Sequence, residues 1–89
     1  MDTEKKLESV RSEFVDRVSL EILAKLRDKL LERGVITDQE LDFLPSVTTA
    51  NKARELVDTV RRKGSGASSA LITDLCVVDP FLSRHLGLM

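Results

Sequence analysis

A lone cysteine, Cys76, most constrains this chain, because no internal disulfide can staple a fold only 89 residues long. A chain of this length lies near the lower end of what folds unaided, so its stability must come from an apolar core. Hydrophobic residues make up 42% of it and aromatics only 3%. The core is therefore mostly Leu, Val, Ile and Ala, with Phe14, Phe43 and Phe81 as its large pieces. Leu and Ala favour helix, and the scarcity of aromatics argues against a small sheet protein. The expected class is all-α, with residues 1–89 as a single domain.

Apolar spacing divides the chain into six helical segments. The first, Thr3 to Arg17, places Leu7, Val10, Phe14 and Val18 at helical intervals. The second, Ser19 to Arg33, opens on a capping Ser19 and carries Leu20, Ile22, Leu23, Leu26, Leu30 and Leu31 on its apolar face. Its polar residues Glu21, Lys25, Asp28 and Glu32 fall on one exposed stripe, and Gly34 ends it. The first helix is interrupted or bent near Asp16 to Ser19, where the two patterns meet. Thr37-Asp38-Gln39-Glu40 reads as a capping box for a short helix carrying Leu41 and Leu44 and stopping at Pro45. Thr48 or Thr49 caps a fourth helix, Ala50 to Lys63, whose core face is Ala53, Leu56, Val57 and Val60.

Gly64-Ser65-Gly66 reads as a tight interhelical turn. The fifth segment, Ala67 to Val78, is apolar nearly all round with Asp74 as its only charge, which predicts a central helix. Asp79-Pro80, a cap followed by proline at the first helical position, starts a short last helix through His85.

Catalytic chemistry finds little footing here. A nucleophilic cysteine wants an exposed, electropositive niche and a histidine base, whereas Cys76 lies in the most apolar segment and the only histidine is the distant His85. Cys76 is therefore expected to be buried and structural. One Cys and one His cannot furnish a zinc site, and the acids Asp38, Glu40 and Asp42 lack the spaced oxygen ligands of a cation loop. Lys63-Gly64-Ser65-Gly66 does not have the residue order of a phosphate-binding loop. No cofactor or metal is expected, and no enzyme activity.

Charge carries more information. Fourteen basic and 15 acidic residues give a net charge of −1, which offers nucleic acid no overall attraction. The acids Glu21, Asp28 and Glu32 lie on the second segment and Asp38, Glu40 and Asp42 on the third. Against them stand Arg11 and Arg17 on the first segment and Lys52, Arg54, Arg61, Arg62 and Lys63 on the fourth. Taken singly, each charge simply solubilises a helix. If the first and fourth helices share one side of the bundle and the second and third the other, the molecule is a dipolar block. Opposite patches on one molecule make a heterologous contact, which propagates into filaments rather than closing as a dimer.

No apolar run approaches the ~20 residues that span a bilayer, and the charged stretch Met1 to Glu8 lacks the apolar region of a signal peptide. With one thiol and no export signal, the expected setting is cytoplasmic, without membrane partners.

The chain resembles a caspase recruitment domain, the CARD branch of the death-fold superfamily, and most closely the domains of inflammatory caspases and their CARD-only relatives. The resemblance is carried by Phe14-Val15, by Leu26 to Leu31 with Val35-Ile36, by Lys52 to Asp58, by Lys63-Gly64, and by the closing Phe81 to Leu88. It covers about Lys5 to Leu88 and lies in helix order and core pattern rather than in any one motif. It implies a six-helix antiparallel Greek-key bundle with a bent first helix. It also implies homotypic recruitment of other CARD-containing proteins, whether self, caspase, adaptor or receptor, in inflammasome or apoptotic signalling. In such domains bases on the first and fourth helices meet acids on the second and third. By position these are Arg11, Arg54 and Lys63 against Asp28, while Ser12 and Asp16 stand where relatives often carry bases. The competing expectation is a helical nucleic-acid-binding domain that sets Arg54, Arg61, Arg62 and Lys63 on phosphates. The acidic balance elsewhere and the lack of stacking aromatics argue against it.

Overall fold

A computed structural model describes residues 3–41 and 47–88. Among them are five α-helices and no strand: α1 (Thr3–Arg17), α2 (Leu20–Glu32), α3 (Thr49–Arg62), α4 (Ser65–Val78) and α5 (Pro80–His85). α1 runs unbroken to Arg17, and the break expected near Asp16 to Ser19 is its junction with α2. There the Ser19 hydroxyl accepts from the Ile22 amide at 3.2 Å, capping α2. At its other end the Gly34 amide donates to the Leu31 carbonyl and the Val35 amide to the Leu30 carbonyl. Gly34 makes that reversal at φ 75°, a conformation that an L side chain disfavours.

The expected capping box forms in full. The Thr37 amide donates to Glu40 Oε1 at 3.0 Å and the Glu40 amide to Thr37 Oγ1 at 3.3 Å. Asp38, Gln39 and Glu40 form a turn, and Leu41 beside it is buried. Asp42, Phe43, Leu44 and Pro45 lie outside the described residues, and with them most of the expected third helix. Thr48 caps α3 by accepting from the Asn51 amide at 3.2 Å. The expected core face of that helix, Ala53, Leu56, Val57 and Val60, is wholly buried.

α3 passes to α4 through Lys63 and Gly64 alone, with Gly64 at φ 104°. Ser65 and Gly66 belong to α4 rather than to the turn, because the reversal is complete at Gly64. α4 packs against each of the other four helices, the central place its composition predicts. It is not enclosed all round, however. Leu71 and Leu75 point inward, but Val77, more than half a turn off that stripe, is 65% exposed. Cys76 is half-buried rather than sealed in the core, its Sγ 3.9 Å from the Leu88 carbonyl oxygen. Asp79 caps α5 by accepting from the Leu82 amide at 3.1 Å, with Pro80 as first residue.

Two other apolar residues leave the places expected of them. Phe81 is 82% exposed, because the cap turns Leu82, Ser83 and Leu86 inward and leaves Phe81 on the far side of a six-residue helix. Leu20 is 49% exposed at the edge of α2's buried stripe of Leu23, Leu26 and Leu30. No helix among the described residues is long and apolar enough to cross a membrane.

Candidate interaction surface

The packing of α1 on α3 sets Arg11 beside Asp58, 47 residues away in sequence. Arg11 Nε donates to Asp58 Oδ1 and Nη2 to Oδ2, both at 2.8 Å, a two-pronged grip. That hydrogen bonding holds the Asp58 carboxyl below its usual range against the opposing effect of burial, with the charges of Arg11, Arg61 and Arg62 assisting. The same bond raises the Arg11 guanidinium above its ordinary value. Arg61 extends the network, with Nη1 3.4 Å from Asp58 Oδ1 and Nη2 3.1 Å from Glu8 Oε2. Glu8, Arg61, Asp58 and Arg11 thus form an alternating chain of charge that cancels.

A second internal pair joins the two charge sets. Lys63 Nζ lies 2.6 Å from Glu40 Oε2. The Lys63 hydrogen bond is the main reason that the Glu40 carboxyl falls below its usual range, with Thr37 adding to it and desolvation opposing. Acid and base patches are therefore not wholly segregated, since α3's C-terminus and the Thr37–Glu40 turn touch.

Three expected bases remain outside these networks. Arg54 Nη1 donates to Asn51 Oδ1 at 2.6 Å and Arg62 Nη2 to Thr59 Oγ1 at 3.3 Å, both neutral acceptors. Arg54 and Arg62 are exposed and have no ion-pair partner among the described residues, although the charge of Arg62 also acts on Asp58. Arg17 is exposed on α1 and lies 3.4 Å from Glu13, which also meets His85 at 2.9 Å. Lys52 is a correction to the expected surface, because only 6% of it is exposed. It lies beside Ala53 and Leu56 on the inward side of α3, so it presents no charge to a partner.

The expected acids divide similarly. Glu21 lies 3.7 Å from Lys25, and Asp38 pairs with Arg27 at 3.2 Å, while Arg27 also donates to the Leu41 carbonyl. Asp28 and Glu32 are exposed, four residues apart on α2, and neither has an ion-pair partner among the described residues. Asp42 lies outside the described residues. Sequence reasoning missed Asp58 altogether. Its spacing to Arg61 was a visible i,i+3 signal, but its grip on Arg11 depends on how two remote helices dock. The partner of Asp74 was missed as well: Arg33 at the end of α2 reaches it at 2.8 Å.

Two shallow, open grooves flank the Arg11 and Arg62 side chains, both lined largely by charged groups. Among the described residues, no three His, Cys, Asp or Glu side chains converge as a metal site would require.

An all-helical domain whose distinctive surface is one set of unpaired acids and another of unpaired bases belongs to the class of small protein-interaction modules. The model of the caspase recruitment domain family matches residues 4–88, and the chain belongs to that family. Such a domain is a homotypic interaction module and not itself a catalyst. The chain is 38% identical over 87 residues to caspase-1 of Rattus norvegicus, covering 96% of this chain but 22% of that protein. It is 34% identical to the putative caspase recruitment domain-containing protein 17P of Homo sapiens, covering 96% of this chain and 79% of that one. Caspase-1-A of Xenopus laevis is 29% identical over 84 residues. The chain thus spans about a fifth of the length of the caspase-1 relatives it matches (22%). No solved structure matches it significantly.

Proposed function

We propose that this domain assembles with other caspase recruitment domains, its own copies or those of a caspase, adaptor or receptor, and so recruits or regulates caspases in cytoplasmic inflammasome or apoptotic signalling. The observation that carries the reading is the placement of unpaired charge: Asp28 and Glu32 on α2, Arg54 and Arg62 on α3. In a heterologous contact the α2 acids of one copy meet the α3 bases of the next, and each added copy repeats the arrangement. The wider interface takes in Glu21, Asp38 and Asp42 on one side and Arg11, Arg17, Arg61 and Lys63 on the other, with Glu40 held against Lys63 on the basic side. The fold proposed with it is the six-helix antiparallel Greek-key death fold.

Single charge reversals test this. Asp28→Arg and Arg54→Asp should each abolish association, read by light scattering at moderate salt, while the helical circular-dichroism signal is kept. Association that survives both reversals contradicts the opposed-patch reading. A parallel titration with generic duplex DNA should show no binding at that salt, whereas tight, salt-sensitive binding would favour phosphate recognition by Arg54, Arg61, Arg62 and Lys63 instead.

A further inference from the structure

Two of the three bases that the family resemblance places in the interface already hold a carboxylate of their own chain. Arg11 grips Asp58 through two contacts of 2.8 Å, and Lys63 holds Glu40 at 2.6 Å. Only Arg54 binds a neutral group, Asn51. An acid approaching Arg11 or Lys63 must displace, or share the base with, one that is already seated, so the contact yields less than a whole ion pair.

Both internal acids are held in place by more than the pairing itself. Asp58 sits in the middle of α3, between Val57 and Thr59 in the buried stretch of that helix. Glu40 is fixed by the reciprocal hydrogen bonds of its capping box with Thr37. Each carboxylate is therefore preorganised beside its base and returns to it whenever a partner leaves, a competition present at every encounter.

We propose that Asp58 and Glu40 are specificity-determining residues of the basic face, internal competitors that only a partner presenting several carboxylates together can displace. This rests on the homotypic reading of the domain. The chemistry it selects is a clustered acidic surface such as the Asp28–Glu32 stripe of another copy. A lone carboxylate, which merely trades one pair for another, is rejected. Arg54, which has no such competitor, makes the first contact. Arg11 and Lys63 join only as the partner's acids exchange with Asp58 and Glu40.

The test removes the competing charges and leaves the bases. Glu40→Gln keeps an acceptor for the Thr37 amide, because Gln serves in a capping box as Glu does. Asp58→Asn is nearly isosteric. Glu55→Gln removes an exposed acid of α3 that no ion pair among the described residues uses, and so makes the same change in net charge without freeing a base. The concentration at which light scattering rises is measured at fixed moderate salt, with circular dichroism confirming each fold. Each partly exposed pair is worth up to about a fivefold factor, so the double variant should assemble at about tenfold lower concentration than the parent. Glu55→Gln should shift it less than about twofold. An unchanged or raised threshold in both Glu40→Gln and the double variant, or an equal shift with Glu55→Gln, overturns the proposal. Labelling of Arg11 by an arginine-selective dicarbonyl in dilute monomer, read by mass spectrometry, separates the two levels. Labelling should quicken in Asp58→Asn, and unchanged labelling means that Asp58 does not restrain Arg11. Quickened labelling with no assembly by any variant or the parent overturns the homotypic reading, and this inference with it.

Discussion

Arg33, the residue that ends α2, reaches across to Asp74 in the central helix α4, with Nη2 2.8 Å from Oδ1 and Nε 3.0 Å from both carboxylate oxygens. The pair is lopsided: the Asp74 side chain is 3% exposed and the Arg33 side chain 48%. A buried carboxylate without its cation is costly, typically about 3–5 kcal/mol, and the wet guanidinium places this pair at the low end. Arg33→Ala should therefore destabilise the domain by about 3 kcal/mol, a fall in Tm of at least about 10 °C for a domain this size. Replacing both partners, Arg33→Met with Asp74→Leu, should recover most of that loss, because no charge is then left in the core. Thermal melts of the parent and these two variants decide it, and equal losses in the single and double variants would contradict the account.

Acid should weaken the fold through Asp58 and Glu40. Both carboxyls sit below their usual values in the folded chain, so the unfolded chain binds protons more readily and stability is lost as pH falls. Their contribution is complete above the ordinary carboxylate values, 3.8 for Asp58 and 4.5 for Glu40, and fades as pH drops below them through the lowered folded values. Denaturant melts from about pH 7 to about pH 2.5 should show a steep decline for the parent and a shallower one for Asp58→Asn. The two curves should converge at the acid end. Parallel curves would mean that the Arg11 bond contributes no proton-linked stability.

Two phenylalanines should behave oppositely. Phe14 is 1% exposed among Leu7, Val15 and the other core residues, and its truncation to Ala should cost about 3–5 kcal/mol. Phe81 is 82% exposed, so Phe81→Ala should change stability by no more than about 0.5 kcal/mol. Urea midpoints of the two variants check this, and a large loss at Phe81 would place that ring in the core.

Local features were the most legible in the sequence. Ser19, Thr48 and Asp79 cap their helices because a hydroxyl or carboxylate needs only a backbone amide three residues on, and the Thr37–Glu40 box obeys the same rule. The core of α3 was legible because its four apolar residues repeat at helical spacing over a long element. Phe81 was not, because a helix of six residues is too short for its pattern to show which side faces inward. Lys52 was misplaced for a related reason: a long stem allows a cation to lie along the inward edge of a helix, where charge alone predicts exposure. The candidate surface was legible as a set of charges but not as a set of pairs. Arg11 with Asp58 and Arg33 with Asp74 are separated by 47 and 41 residues, and only the docking of whole helices determines who meets whom.

Complementary charge reversal tests the central claim most directly, that the α2 acids of one copy face the α3 bases of another. Asp28→Arg presents a cation where the neighbour's Arg54 repels it, and Arg54→Asp in that neighbour restores opposite signs at the contact. Mixing the two single variants should restore assembly of alternating copies, because both acid-face to base-face contacts between unlike copies then pair opposite charges while contacts between like copies clash. Sedimentation of the mixture should therefore show assemblies that neither variant forms alone, whereas monomers throughout would mean that Asp28 and Arg54 do not meet.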